Sequence, residues 1–240
     1  MPARARAPGP GLAVPASIAG YLDHTLLRPG AAREELISLC AEAVAHRMAA
    51  VCVRPEWTGL CAERVYRTGV RVAAVVDFPA GDGGAGRKSE EAAAAVRAGA
   101  DELDVMIPLA RALAGEWNAV RDELAAAVAA AAGATVKAIL ETAALDATQM
   151  VTAALAACAA GCTFVKTSTG FHPAGGATVE AVRLLRETVG EGIGVKASGG
   201  IRTAEAALAM LRAGANRIGT SNSVRIIEEG IRTPDSGLQS

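Results

Sequence analysis

The sequence predicts a single (β/α)8 TIM barrel, a closed ring of eight parallel strands with helices outside. Three observations carry that expectation. Gly69, Gly99, Gly133, Gly161 and Gly190 recur at intervals of about 30 residues, and Gly214 closes a shorter unit. A glycine just past a helix adopts the left-handed cap without a Cβ penalty, and each of these is followed within a few residues by a run containing Val or Ile. One strand plus one helix per period is the βα unit, and eight units in 240 residues suit a single barrel. The third observation is composition. Hydrophobic residues make up 51% of the chain and aromatics only 3%, so the core must be built from Ala, Val, Leu and Ile, as in helix-on-sheet layers. An open doubly wound sheet also alternates strand and helix, but eight evenly sized units without an evident edge strand weigh against it.

The elements follow in order. Ile18 to Leu27, with LDHTLL, is the first strand, ended by Pro29–Gly30. Ala31 to Arg47 has helical spacing at Leu36, Ile37, Leu39, Cys40, Ala43 and Val44. Ala49 to Val53 is the second strand, and a helix through Leu60 and Val65 follows it. Arg71 to Phe78 is the third strand, then a glycine-rich loop, then a helix from Lys88 to Ala98. Glu102 to Ile107 is the fourth strand, followed by one long alanine-rich helix to about Ala132. Thr135 to Leu140, FVKTS, GVKAS and RIGTS are strands five to eight. Helices at about Thr148–Ala160, Thr178–Val189 and Thr203–Ala213 separate the last four, and Val224 to Glu229 is a short closing helix. The domain plan is therefore a flexible tail over 1–16, a barrel over 17–229 and a loose tail over 230–240.

Composition also excludes partners. A net charge of −1 makes no electrostatic case for nucleic acid or an anionic membrane. The longest uncharged apolar candidate, Leu124 to Ala134, is about half a membrane span. Five cysteines without a CxxC pair suggest a reducing compartment, and MPARARAPGPG lacks the apolar core of a signal peptide, so a cytoplasmic protein is expected. His24, His46 and His172 make no spaced metal motif, and neither a metal nor any other cofactor is expected.

Lysine usage points to the chemistry. Of 24 basic residues, only Lys88, Lys137, Lys166 and Lys196 are lysines. Arginine stays protonated at ordinary pH, whereas lysine can lose its proton and become a nucleophile. Three of the four follow a valine in a strand-like run: Val136–Lys137, Val165–Lys166 and Val195–Lys196. Lys166 and Lys196 are 30 residues apart, one βα unit, which places them on adjacent strands. A free lysine has a pKa of roughly 10.4, so bringing it near 7 costs about 4–5 kcal/mol. Burial and a neighbouring cation both act in that direction. Asp104 projects from the same strand face as Glu102 and can carry protons; a structural ion pair is its alternative role. For Lys137 an internal salt bridge to Glu141 or Asp104 is the alternative.

Other polar residues assigned to strand carboxyl ends, where barrel sites lie, include Asp23, His24, Thr25, Cys52, Arg54, Asp77, Asp101, Glu102 and Glu141. Gly199–Gly200 and the segment Gly219–Ser223 each open a helix after strands seven and eight. Backbone N–H groups at such helix starts form an anion site, the usual phosphate position in barrels. Gly81, Gly83 and Gly86 fit GxGxxG, but Phe78–Pro79–Ala80 separate them from the strand, Asp82 would repel a pyrophosphate, and the unit is third in the chain. A loop at the barrel mouth is the better reading. Together these residues describe a cofactor-free barrel enzyme that forms an imine with a phosphorylated carbonyl compound.

LDHTLL, VCVRP, DFPAG, ADELDVMI, KAILET, FVKTSTGF, VKASGGIRT and RIGTS, in that order, resemble the deoxyribose-phosphate aldolase family over roughly residues 17–225. The resemblance implies reversible cleavage of 2-deoxy-D-ribose 5-phosphate to D-glyceraldehyde 3-phosphate and acetaldehyde, in deoxyribonucleotide catabolism. Another Schiff-base aldolase or a transaldolase is the nearest alternative. It implies Lys166 as the Schiff-base lysine, Lys196 as its partner and Asp104 as proton donor and acceptor. Asp23, Thr25 and Cys52 match pocket residues, and Gly170, Gly199, Gly200 and Ser221 match the phosphate cradle. Asn222 stands where many members have a second serine, and the terminal GLQS lacks the tyrosine that some members use. A sugar phosphate as partner and a homo-oligomer, commonly a dimer, are also implied.

Overall fold

The computed structural model describes residues 17–232; the expected tail over 1–16 and the segment 233–240 lie outside the described residues. Eight strands close into a ring in chain order: β1 (Leu22–Leu26), β2 (Ala50–Val53), β3 (Arg71–Val76), β4 (Glu102–Met106), β5 (Thr135–Ile139), β6 (Phe164–Lys166), β7 (Gly194–Ser198) and β8 (Arg217–Thr220). Every neighbouring pair is parallel, and β8 returns to β1. Outside run α1 (Arg33–Ala45), α2 (Thr58–Arg64), α3 (Gly84–Arg97), α4 (Leu109–Leu113), α5 (Trp117–Ala130), α6 (Ala147–Ala159), α7 (Val179–Val189), α8 (Ala204–Arg212) and α9 (Ser223–Arg232). The closed (β/α)8 expectation holds.

Three local expectations are corrected. The single alanine-rich helix after β4 is two helices, because the chain turns at Gly115, with φ near 77°, and α5 starts afresh at Trp117. α3 begins at Gly84, four residues before Lys88, so part of the glycine-rich loop is helical. α9 runs to Arg232, beyond the expected boundary at 229. Among the described residues, three helix starts carry a side-chain cap. Asp146 and Gln149 make a reciprocal capping box on α6, while Thr178 and Thr203 cap α7 and α8.

The main core lies between the ring and the helices. Outward-facing Val51, Val53, Val72, Val105, Val136, Val165, Val195 and Ile218 pack there against Leu36, Leu39, Leu124, Ala153 and Leu185. Small residues let helices approach the sheet closely, and each fully buried Val or Leu contributes about 1.5–3 kcal/mol. The ring interior is a different environment. Cys52, Ala73 and Val75, with Leu27 above them, form a small apolar cluster on the β2–β3 side. The remaining strands turn charged side chains inward.

Candidate active site

The two-residue repeat of a strand sets which side chains enter the ring. On β4, Glu102 and Asp104 are both interior, one layer apart; on β5 Lys137 stands opposite Asp104 in register. Lys166 on β6 stands opposite Lys196 on β7, as the spacing of one βα unit predicts. Lys137, Lys166, Lys196, Asp104 and Asp23 are all at most 2% exposed.

Asp104 is the hub. Its Oδ1 accepts from Lys137 Nζ at 2.8 Å, and its Oδ2 accepts from Lys166 Nζ at 2.8 Å and Lys196 Nζ at 2.7 Å. Lys137 also reaches Glu102 Oε2 at 2.6 Å, and Lys196 reaches Asp23 Oδ2 at 2.5 Å. Arg217, on β8, bridges Asp23 and Glu102, with Glu102 Oε1 at 3.1 Å. Arg71 closes the lower end by bonding Glu102 at 2.9 Å. Cys52 Sγ lies 3.7 Å from Asp104 Oδ2. Among the described residues, this buried layer sets Lys137, Lys166, Lys196 and Arg217 against Asp23, Glu102 and Asp104. Lys137, Lys196 and Arg217 each contact two carboxylates, whereas Lys166 contacts one oxygen that it shares with Lys196.

Burial alone would raise the Asp104 carboxyl, but Lys137, Lys166 and Lys196 outweigh it and hold the group well below the usual carboxylate range. Burial likewise opposes ionisation of Asp23 and Glu102; Arg217 with Lys196 overcomes it at Asp23, and Lys137 with Arg217 at Glu102. Burial would lower Lys137 and Lys196, yet Asp104 with Glu102 raises the first and Asp104 with Asp23 raises the second. Burial pushes the Cys52 thiol up and that of Cys162 up to about 12. It lowers His24, which points out of the ring and bonds Glu42 at 2.8 Å.

These shifts have signs for stability. The carboxylate contributions are present above the unfolded pKa of about 4 and are lost as pH falls through the depressed folded values. His24 adds a loss that starts below about pH 6.5. The thiols and then the two lysines destabilise the fold as pH rises above about 8.5 and 10, because the unfolded chain gives up those protons first. Urea midpoints measured from pH 3 to 11 should therefore form a plateau near pH 7–8.5 with a steep acid limb. A midpoint that rises on acidification to pH 4 would contradict the cluster's electrostatics.

Above the cluster is a cavity of about 320 Å³ lined by Thr25, Lys166, Gly170, Gly199, Gly200, Ser221 and Asn222. Asp23, Cys52, Asp104 and Lys196 lie beneath it, fully buried. The two glycines after β7 serve different needs. A Cβ on Gly199 would meet Gly176 Cα at 3.0 Å and Gly170 Cα at 3.4 Å, so its hydrogen lets two loops touch. Gly200 has open space but a φ of +80°, which side chains rarely adopt. The N-terminus of α8 is partly occupied already: Thr203 caps Ala206 N and Glu229 accepts from Ala204 N at 2.9 Å. Asn222 keeps its backbone N–H on Thr220 Oγ1 at 3.0 Å.

Several strand-end assignments are corrected. Glu102 opens β4 and Asp101 precedes it, so both lie at the amino end, and Asp101 accepts from Val72 N. The fourth-strand carboxyl end is two layers higher, because β4 advances through Asp104 to Met106. Asp77 turns outward to Lys88 at 2.6 Å. Arg54 bonds Glu56 and Leu27 O. Glu141 does not pair with Lys137; it accepts from Thr169 N and, at 2.5 Å, from Thr169 Oγ1. The sequence reading missed Arg217 and the deep role of Glu102. Arg217 had a signal, a charge in the apolar run RIGTS two residues before an interior glycine. Among the described residues, no His, Cys, Asp and Glu group is arranged to hold a metal ion, and no helix is long and apolar enough to cross a membrane.

Polar groups gathered inside a parallel ring, under loops from the strands' carboxyl ends, define a barrel enzyme. The family model described as DeoC/LacD family aldolase matches residues 18–230. A deoxyribose-phosphate aldolase of Mycobacterium tuberculosis is 50% identical over 217 residues, covering 89% of this chain and 96% of the relative. One from Kocuria rhizophila is 48% identical over 214 residues, with the same coverage. The structure described as the unique tetrameric structure of deoxyribose phosphate aldolase from Aeropyrum pernix superposes with a TM-score of 0.84 at 34% identity, covering 90% of this chain and 91% of that one. The chain belongs to the deoxyribose-phosphate aldolase family and is an aldolase, a carbon–carbon lyase.

Proposed function

We propose that the protein reversibly cleaves 2-deoxy-D-ribose 5-phosphate to D-glyceraldehyde 3-phosphate and acetaldehyde through a Schiff base on Lys166. The observation that carries this reading is the uneven sharing of counter-charge. Lys166 is the lysine of the layer with a single, shared carboxylate oxygen, and it alone of the three also lines the cavity. Lys166 therefore has the least counter-charge of the three, while Lys137, Lys196 and Arg217 are set against the three carboxylates. Lys196 and Lys137 stay charged on their paired carboxylates.

Neutral Lys166 Nζ attacks C1 of the open-chain sugar. Asp104 and Lys196 relay protons so that the carbinolamine loses water as the hydroxyl leaves. The resulting iminium accepts the electron pair of the C2–C3 bond when the C3 hydroxyl gives up its proton. Glyceraldehyde 3-phosphate departs, and an enamine remains on Lys166. Protonation at the enamine carbon and hydrolysis release acetaldehyde and restore the amine. Asp23 holds Lys196 and Arg217 in place; Thr25 and Cys52 flank the path. Gly170, Gly199, Gly200 and Ser221 form the phosphate cradle, with backbone N–H groups as the donors, and Asn222, whose own N–H is held by Thr220 Oγ1, lines it with its side chain. A homo-oligomer in the cytoplasm, acting without a cofactor in deoxyribonucleotide catabolism, completes the proposal; the relatives' names support the reaction, and the tetrameric Aeropyrum pernix structure supports an oligomer.

The decisive experiment is borohydride reduction in the presence of acetaldehyde, followed by peptide mapping. A 28-dalton ethyl adduct, roughly the mass of C2H4, is expected on Lys166. Labelling confined to Lys137 or Lys196 would sink the assignment. A substrate panel separates this aldolase from a transaldolase or another sugar-phosphate aldolase.

A further inference from the structure

The cavity occupies one half of the barrel mouth. Its lining comes from the loops after β1, β6, β7 and β8 and includes none of the loops after β2 to β5. The other half is spanned by an aromatic pair. Phe78, just after β3, meets Phe171, on the loop after β6, edge to face with ring centroids 5.4 Å apart and planes at 88°. Strands β3 and β6 are three places apart in a ring of eight, so the contact crosses the mouth. Phe78 packs down on Cys52, Ala73, Val75 and Leu27. Phe171 faces the cavity and is 48% exposed.

The loop bearing Phe78 is held firmly. Asp77 Oδ2 accepts from Lys88 Nζ at 2.6 Å and from Gly83 N at 3.0 Å, and Asp77 N donates to Glu91 at 2.6 Å. Lys88, fully buried, is held in turn by Glu123 at 2.8 Å and by Gly81 O at 2.8 Å. A Cβ on Gly81 would sit 2.1 Å from Ile107 O, so this loop is pressed against the end of β4. The fourth lysine of the chain therefore anchors a loop rather than joining the cluster around Asp104. The Phe171 side is fixed by Thr169, whose hydroxyl accepts from Phe171 N at 3.0 Å while donating to buried Glu141.

We propose that the Phe78–Phe171 pair is a roof that sets donor specificity: it closes the apolar half of the mouth and excludes aliphatic aldehydes longer than acetaldehyde from Lys166, while the five-carbon sugar phosphate runs into the polar half. This rests on the Schiff-base reading above. The geometry supplies the reason. Beneath the roof lie small, uncharged walls, Cys52, Ala73 and Val75, beside Asp104. Those walls would accept an aliphatic chain if the ring above were absent. With the ring in place, extra methylenes on the aldehyde must either displace packed aromatic groups or turn into the polar, phosphate-facing half. A misfit of one or two methylenes is worth roughly a tenfold to 200-fold discrimination in such a site.

The test is competitive borohydride trapping on Lys166 with equimolar acetaldehyde and butanal, read by peptide mass. The wild type should carry the ethyl adduct in at least about tenfold excess over the butyl adduct. In Phe78→Ala and in Phe171→Ala that ratio should fall by about tenfold or more. Phe171 is exposed enough that its variant keeps the measurement available if Phe78→Ala does not fold. An unchanged ratio in a variant with native circular dichroism overturns the roof, as does a wild type that takes up both aldehydes equally. A wild type labelled at Lys166 by neither aldehyde overturns the Schiff-base reading, and the roof with it.

Discussion

Lys166→Met should lower kcat for deoxyribose 5-phosphate cleavage by about 10⁴-fold or more while leaving the barrel folded. Methionine fills nearly the same volume but offers no nucleophile, and neither neighbouring lysine can replace it. Lys196 is held between Asp104 at 2.7 Å and Asp23 at 2.5 Å, and Lys137 between Asp104 at 2.8 Å and Glu102 at 2.6 Å. Both have two carboxylates stabilising the ammonium and lie below the cavity. Stability should be retained or improved, because the substitution removes an amine without stranding an opposite charge and leaves Asp104 with Lys137 and Lys196. Replacing a buried polar group by an apolar one of similar volume, with no opposite charge left stranded, is often neutral or stabilising. Steady-state kinetics and a urea titration on the same preparation provide the check. Cleavage within tenfold of the wild type would remove Lys166 from the mechanism.

Asp104→Asn should have the opposite profile: large losses in both activity and stability. The carboxylate accepts from three buried lysines, and an amide offers one neutral oxygen in place of two charged ones. Lys137, Lys196 and Arg217 would then face only Asp23 and Glu102. Breaking a buried ion pair by removing one partner costs about 3–5 kcal/mol. Some of that is recoverable at higher pH, since Lys137 and Lys196 lose the Asp104 charge that raises them and can shed protons. The variant should therefore be more stable relative to wild type at pH 9 than at pH 6. Turnover should fall by about 10²–10⁴-fold, the usual range for losing a positioned acid–base group. Equal destabilisation at both pH values would mean that the hub is held by shape and not by charge.

Much of the barrel was legible along the chain. The glycine period marked the helix ends, the Val- and Ile-rich runs marked the strands, and the shortage of lysine marked three interior positions. Those signals are local, so they survive reading residue by residue. The break between α4 and α5 was not legible, because alanine suits either a continuous helix or two, and only the turn at Gly115 decides. Resemblance to the family assigned roles to Lys166 and Lys196, which spacing alone could not rank.

What only the tertiary structure decided is depth and company. Residues near strand ends in sequence separate into layers once the strands are staggered in the ring: Glu102 sinks to the amino end, Asp77 turns outward to Lys88, and Glu141 serves Thr169. Arg217 and Asp23 are 194 positions apart, yet they share one charged layer. A charge balance is a sum over neighbours, and neighbours in a closed sheet come from every part of the chain. The sequence by itself determined the period, the strands and the scarce lysines. Closure of the ring decided that Lys166 would have the least counter-charge and that Phe78 and Phe171 would meet across the mouth, because both depend on distances between strands and on no pattern within one.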